Sequence, residues 1–503
     1  MDSIVAKLRK RGFIESGVDF VIKKNDSVFE AQLDLSQKFD TIYIYHQNLL
    51  PDKIAKTFSK GDNLDYFAMP VPDIQSNLKR INKELVKSGD PFIALQLTNI
   101  HKIRSNILAA DLEINTTKQR TIDKVVIKGY EKFPSSFLKR YLGIKKGMVL
   151  DLETIKNKTK AMVNLGFASQ KRQPEILFTN DSTMLYLYLS KKPANAFDGF
   201  LGFSTQETSN KIQFNGYLNL NLTNNLNYGE SIRFVYKSDK SEQRTISVDA
   251  ELPYLFKTPI GLTLGLNIFK QDSTFSSVGQ SAKLFYQINH KIKLYSGLET
   301  ASSSSLLENS NSLVDDFKST FYSVSLEYRD RTESLLFPIH NHLIVGGNFG
   351  KRNSHNSTLN QTALFYKAYK IFNLNNKNSI YINSEGKALF SDNYLNNELY
   401  RFGGINSIRG FNENSLYASF FSVVNTEYRY LLSSTLYANT ILDAAYYENN
   451  ISNTSGQLYS VGIGMGMATK SGLLKLIIAN GQTKGQNFKL NNAKVHISLS
   501  TSF

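Results

Sequence analysis

The chain has 503 residues, 41% of them hydrophobic, and a formal net charge of +16. No apolar run approaches the roughly 18 residues a spanning helix needs, which excludes an α-helical membrane protein, whereas a mean hydropathy of −0.29 is compatible with a membrane barrel of alternating strands. Cysteine is absent, removing disulfide frameworks and thiolate metal sites, while 27 Tyr and 33 Phe suit the aromatic girdles of a barrel even without tryptophan. Residues 1–196 carry 32 Lys and Arg against 21 Asp and Glu, and 101–196 carry 18 against 8. A basic surface there suits lipid headgroups or an acidic partner, or is an ordinary solvated face; no nucleic-acid recognition motif accompanies it.

In chain order, the opening MDSIVAKLRKRGFIES is amphipathic and basic, without the apolar stretch and cleavage site of a signal peptide, as a mature form or a clipped start would be. Residues 1–36 read as the second half of an α/β module: helix DSIVAKLRKRG, then strands VDFVIKK and VFEAQLDL. Within 37–119, FDTIYIYH reads as a strand, PDIQSNLKRINKELVKSG as a helix, and FIALQLTNI and NILAADLEIN as strands. Residues 120–194 give the clearest module. IDKVVIKG is a strand, PSSFLKRYLG a short helix opened by Pro134, and DLETIKNKTKAMVNLG a helix capped by Asp151 and stopped by Gly166. EILFTN and TMLYLYLS follow as strands turning at Asn180-Asp181.

Over 195–503 only period-two segments remain, sixteen of them, from FDGFLGFSTQ to AKVHISLSTSF. An even, closed antiparallel barrel is the natural solution in lipid, where open edges are not tolerated; a soluble β-sandwich uses the same alternation. The last strand favours the barrel. Val495, Ile497, Leu499, Thr501 and Phe503 share one face, and His496, Ser498, Ser500 and Ser502 the other, as lipid on one side and a watery lumen on the other require.

The decamer FGGINSIRGF, 402–411, places Arg409 among barrel strands, where a guanidinium needs a carboxylate or water. Glu427 in NTEYRYLL and Asp443 in TILDAAYY lie in the next two strand segments. This order of glycine-flanked SIRGF, strand Glu and strand Asp resembles the BamA/TamA family of outer-membrane insertases and their two-partner secretion transporter relatives. The 120–194 module, with Gly147 before its second helix, resembles a polypeptide-transport-associated (POTRA) domain. The resemblance implies α+β POTRA domains followed by a 16-stranded antiparallel transmembrane β-barrel. It makes 1–36 a partial POTRA domain, 37–119 and 120–194 complete ones, and 195–503 the barrel.

By the same resemblance, Gly403, Gly404, Ser407, Ile408, Arg409, Gly410 and Phe411 form the tip of the sixth extracellular loop, folded into the lumen. Glu427 and Asp443 become the partners of Arg409 on the barrel wall, a geometry that a forked guanidinium satisfies bidentately. Ala445 stands where the family often has glycine, and Tyr430-Leu431 where a proline is common after the Glu-x-Arg pair.

The function implied is insertion or export of client polypeptides at the bacterial outer membrane, with the POTRA domains in the periplasm. The barrel is expected to open at a lateral seam between its first strand, with Gly199 and Gly202, and its last, with Leu499 and Phe503. Partners would be outer-membrane lipids, unfolded barrel clients or exported polypeptides, and a periplasmic or inner-membrane accessory protein. A two-partner secretion transporter for a dedicated exoprotein and a passive channel or surface antigen are the alternatives. No enzyme, cofactor or metal is expected. GxSxG, phosphate-loop and HExxH motifs are missing, and of seven histidines only His340 and His342 are close, with no third ligand in range.

Overall fold

The computed structural model describes residues 2–58, 65–205, 212–238, 243–306, 314–355, 357–469, 472–483, 485 and 493–502. They form two compact units, one of 1–126, 145–156 and 174–186, the other of 127–144, 157–173 and 187–503.

The first unit opens with helix Asp2–Lys10 and the antiparallel pair Gly17–Lys23 and Phe29–Asp34. Next comes a four-stranded sheet in the order Tyr66–Pro70, Thr41–Tyr45, Ile107–Asn115, Ala94–Arg104, with the two central strands parallel. Alternation drives it: Ile42 and Ile44, Phe67 and Met69, and Leu108, Ala110 and Leu112 turn to one side and bury against Ile81 and Leu85 of helix Ile74–Val86. Each of these side chains but the small Ala110 contributes about 1.5–3 kcal/mol on burial. Helix Asp52–Phe58 and strand Tyr66–Pro70 were not anticipated from the sequence. Both are short, and the strand is recognisable only by the burial of Phe67 and Met69 on one face.

The module over 120–194 contains strand Lys124–Lys128, one wide helical turn Phe137–Tyr141, helix Leu152–Lys160 and strands Ala168–Phe178 and Thr183–Lys191. Asp151 caps the helix, its Oδ1 accepting from the Glu153 and Thr154 amides at 3.0 and 3.2 Å. A tighter turn, Ala161–Asn164, follows, and Gly166 ends it at φ +79°.

In the second unit, sixteen strands close an antiparallel barrel in chain order, from Ala196–Thr205 to Lys494–Ser502. They are called here the first to sixteenth barrel strands. The pattern is inside-out relative to a soluble protein. Leu298, Leu442, Val461 and Ile463 are exposed on the outer face, whereas Glu327, Asn383, Asn425, Glu427, Asn439 and Asp443 are buried within. An apolar outer wall around a polar interior is a lipid-facing barrel. Among the described residues, no helix is long and apolar enough to cross a membrane.

One rim of the barrel holds the segments 127–144 and 157–173 of the third module, which belong to the same unit. Asn224 Nδ2 donates to the Tyr130 hydroxyl at 2.5 Å, and Phe137 sits edge-on to Tyr254 with centroids 4.9 Å apart. Arg140 Nε donates to the Lys257 carbonyl at 2.9 Å, the Tyr141 hydroxyl to the His290 carbonyl at 3.1 Å, and the Arg331 amide to Asn164 Oδ1 at 2.8 Å. Four successive turns of this module-side rim thus hold one face of the module.

Candidate functional site in the barrel lumen

Between the eleventh strand, Asn378–Phe390, and the twelfth, Phe420–Leu431, the chain leaves the wall and re-enters the lumen. Two short strands, Tyr400–Phe402 and Leu416–Ala418, pair as a stalk and carry the tip over 403–415. Gly403 and Gly404 lie at φ +107° and +98°, and the Ser407 and Gly404 amides each donate back across this turn at 3.1 Å. The tip has a core of its own: Phe402, Ile408 and Ala418 bury against Phe421, Val423, Ala445 and Leu458 of the wall. The Phe402 and Phe421 rings stack 4.6 Å apart.

At the end of this tip, Arg409 is 4% exposed, Asp443 1% and Glu427 7%. Arg409 Nε donates to Asp443 Oδ2 at 2.8 Å and Nη2 to Oδ1 at 2.5 Å, a side-on bidentate grip, while the Arg409 amide donates to Oδ2 at 3.1 Å. Nη1 donates to Glu427 Oε1. Glu427 Oε2 in turn accepts from Arg429 Nε at 2.7 Å. Charges therefore alternate along the wall, Asp443, Arg409, Glu427, Arg429, and each buried carboxylate has its countercharge. Arg429 continues the chain over the rings of Tyr381 and Phe337, at 4.0 and 4.8 Å.

Gly410, at φ +81°, lies so close to the fifteenth strand that a Cβ there would sit 2.3 Å from the Gly481 nitrogen. Gly481 in turn leaves room for the Phe411 ring, which would come within 2.5 Å of a Cβ added there. A pair of glycines thus brings loop and wall backbones together and seats Phe411 on the strand.

The decamer supplies only some of the loop's ties to the wall. At the root of the loop, buried Arg352 donates to Glu398 Oε1 at 2.5 Å, and Gln361 Nε2 to Oε2 at 3.0 Å. Along the stalk, Arg401 stacks on Phe269 at 3.7 Å and Phe275 at 4.8 Å. Within the tip, past Phe411, Glu413 accepts from Lys237 Nζ at 2.8 Å. Asn425, which registers with Asp443 across the twelfth and thirteenth strands, donates to the Ser407 carbonyl at 2.8 Å. Apart from Ser407, none of these residues was singled out from the sequence; Arg352 and Glu398 are 46 positions apart and no motif joins them.

Of the residues expected at a seam, Gly199 and Gly202 lie on the first strand and Leu499 on the sixteenth. Among the described residues these strands register at Ala196↔Ser502 and Phe197↔Thr501 only. Thr501 Oγ1 donates to the Phe197 carbonyl at 2.7 Å, and Ser500 Oγ reaches Asp198 Oδ2 at 3.5 Å. The fifteenth and sixteenth, by contrast, register from Leu473↔Ser500 to Ala479↔Lys494, and the first and second over the whole length of the first. Gly199 and Gly202 pair with Leu218 and Asn215 of the second strand, and Leu499 faces outward. Phe503 lies outside the described residues. His342, one of the two neighbouring histidines, contacts Glu327 Oε1 through Nε2 at 3.1 Å.

Residues 120–190 match the POTRA family, described as a surface antigen variable number repeat. A comparison with curated protein sequences gives no match. Among solved structures, BamA from Haemophilus ducreyi lacking POTRA domains 1–3 is similar at a TM-score of 0.55 and 13% identity, covering 92% of this chain and 99% of that one. CdiB from Acinetobacter baumannii is similar at 0.56 and 15% identity, covering 100% and 97%, and CdiB from Escherichia coli at 0.56 and 14%, covering 100% and 98%. These likenesses concern the fold: α/β modules ahead of a sixteen-stranded barrel.

Proposed function

We propose that this POTRA-domain β-barrel protein, of the BamA/TamA family by fold, acts at the outer membrane to pass client polypeptides into the bilayer through a lateral seam between its first and last strands. The observation that carries the proposal is that, among the described residues, two pairs register across that junction. Every missing ladder bond lowers the cost of parting the strands, and a parted strand presents an edge to which a client strand can add through main-chain bonds with little demand on its sequence. Burial of the client's apolar face in lipid supplies the driving force, so no nucleotide is needed. The loop held across the lumen by Arg352, Arg401, Arg409 and Glu413, among other contacts, supports a lateral route over an axial one, because these ties must yield before a chain passes along the axis.

In this reading the modules stand in the periplasm and offer further sheet edges to extended clients, and the seven motif residues serve to lock the loop onto Glu427 and Asp443. Depleting the protein from its host and quantifying the outer-membrane proteome tests the proposal. Loss of several integral barrels is the expected outcome. Unchanged barrels with the loss of a single secreted polypeptide would instead make it a secretion transporter, and no change in either would refute both.

A further inference from the structure

The turns that hold the third module have a second face. Between the fourth strand, Gln243–Leu252, and the fifth, Ile260–Gln271, three non-glycine residues, Tyr254, Phe256 and Lys257, lie at φ +54°, +51° and +61°. Bulky residues rarely adopt this region, and such strain persists only where the surroundings enforce it. Here it splits the turn. Tyr254 is buried against Phe137 and the Lys257 carbonyl accepts from Arg140, while Phe256 is left 95% exposed. The turn between the eighth strand, Phe317–Arg331, and the ninth, Ile339–Ser354, also has a held side and an exposed one, without residues at positive φ. Arg331 at its base bonds Asn164, Leu336 is buried, and Leu335 is 75% exposed.

We propose that Phe256 and Leu335 are anchors that seat in the interface of the bilayer, at the boundary of headgroups and acyl chains, and so tie the third module's mounting to the membrane. The proposal rests on the reading of the barrel as lipid-embedded. Continuity with the lipid-facing wall identifies the occupant: Ile260, where the fifth strand starts, its partner Tyr286 and the adjoining Ile288 are all exposed outward and carry the apolar belt down to these turns. Exposed Lys257 beside Phe256 supplies an ammonium for lipid phosphates, the pairing of apolar tip and basic neighbour that suits an interface.

The chain contains no tryptophan, so each introduced one reports alone. Phe256→Trp and Leu335→Trp are compared with Leu284→Trp, on the outer face of the sixth strand, in phosphatidylethanolamine–phosphatidylglycerol vesicles with lipids brominated at shallow or deep acyl positions. The full chain is used with no other protein present. Both tip tryptophans should emit to the blue of a fully hydrated indole and be quenched more by shallow than by deep bromines, with Leu284→Trp showing the opposite order. A water-like, unquenched signal from either tip beside a quenched Leu284→Trp would overturn the anchor and leave the membrane barrel standing. Three unquenched tryptophans would overturn both.

Discussion

Replacing Arg409 by alanine removes three side-chain hydrogen bonds at once and leaves Asp443, 1% exposed, without its countercharge and, among the described residues, with only the backbone amide of residue 409 still donating to it. Breaking a buried pair by removing one partner costs on the order of 3–5 kcal/mol, because the desolvated charge left behind has no compensation. At about 1.4 kcal/mol per factor of ten, the equilibrium between docked and released loop shifts by roughly two to three and a half powers of ten. Asp443→Ala takes from buried Arg409 its bidentate partner, leaving it Glu427, and should cost a similar amount. Glu427→Ala should cost more in wall order than in loop release, because it also strands Arg429. Arg409→Lys keeps the charge but loses the fork, and should fall between wild type and alanine. Limited proteolysis of the purified barrel, followed at the 391–419 loop, reads the released fraction directly. The double variant Arg409→Ala/Asp443→Ala should be no more susceptible than either single. Two defects that simply add, or an Arg409→Ala loop as protected as wild type, would refute the lock.

Other consequences follow from the same geometry. Gly410→Ala places a Cβ 2.3 Å from the Gly481 nitrogen at φ +81°, so it should loosen the same loop with the charged residues intact, again by proteolysis. Gly229→Ala directs a Cβ into the Phe137 ring, and should raise hydrogen exchange across 130–144 while the barrel stays folded. In the second module, burial pushes the Asp90 carboxyl up, but hydrogen bonds from the Thr117 hydroxyl and amide and the Phe92 amide outweigh it and hold the group below the usual carboxylate range. A depressed folded value means stability that is present above the unfolded pKa and lost as pH falls through the folded one. Amide exchange at Phe92 and Thr117 should therefore rise, relative to the intrinsic rate, only in that acid window, and Asp90→Asn should abolish the dependence. The barrel itself should migrate faster on mild detergent gels unheated than boiled, and a detergent-independent soluble monomer would exclude it.

The barrel was legible because strand alternation is local: the faces of KVHISLSTSF can be read without knowing any neighbour, and the outward exposure of Val495, Ile497 and Leu499 follows from period two alone. The 120–194 module was legible for a related reason, since Asp151 and Gly166 act within a few residues of themselves. Helix Asp52–Phe58 and strand Tyr66–Pro70 carry too few residues to establish a period. At the site, the decamer and its two carboxylates were picked out by resemblance and by the cost of an unpaired arginine. The Arg352–Glu398 tie, the Arg401 stack and the Gly410–Gly481 approach join residues from distant strands, and only the closed barrel brings them together. The mounting of the module was invisible for the same reason: Phe137, Arg140 and Tyr141 read as an ordinary short helix, and their partners at Tyr254, Lys257 and His290 lie more than a hundred residues away.

Whether clients pass through the seam is tested most directly by a disulfide across it. A Cβ at Gly199 would lie 2.5 Å from the Tyr217 carbonyl oxygen, so a cysteine there would disturb the first strand. Asp198 and Ser500 are better placed, their side chains already 3.5 Å apart, and the native chain has no cysteine to interfere. Asp198→Cys/Ser500→Cys, reconstituted in vesicles with an unfolded barrel client, should lose client insertion when oxidised and regain it when reduced, with heat-modifiable migration unchanged. Undiminished insertion by the fully oxidised, folded protein would contradict the lateral route.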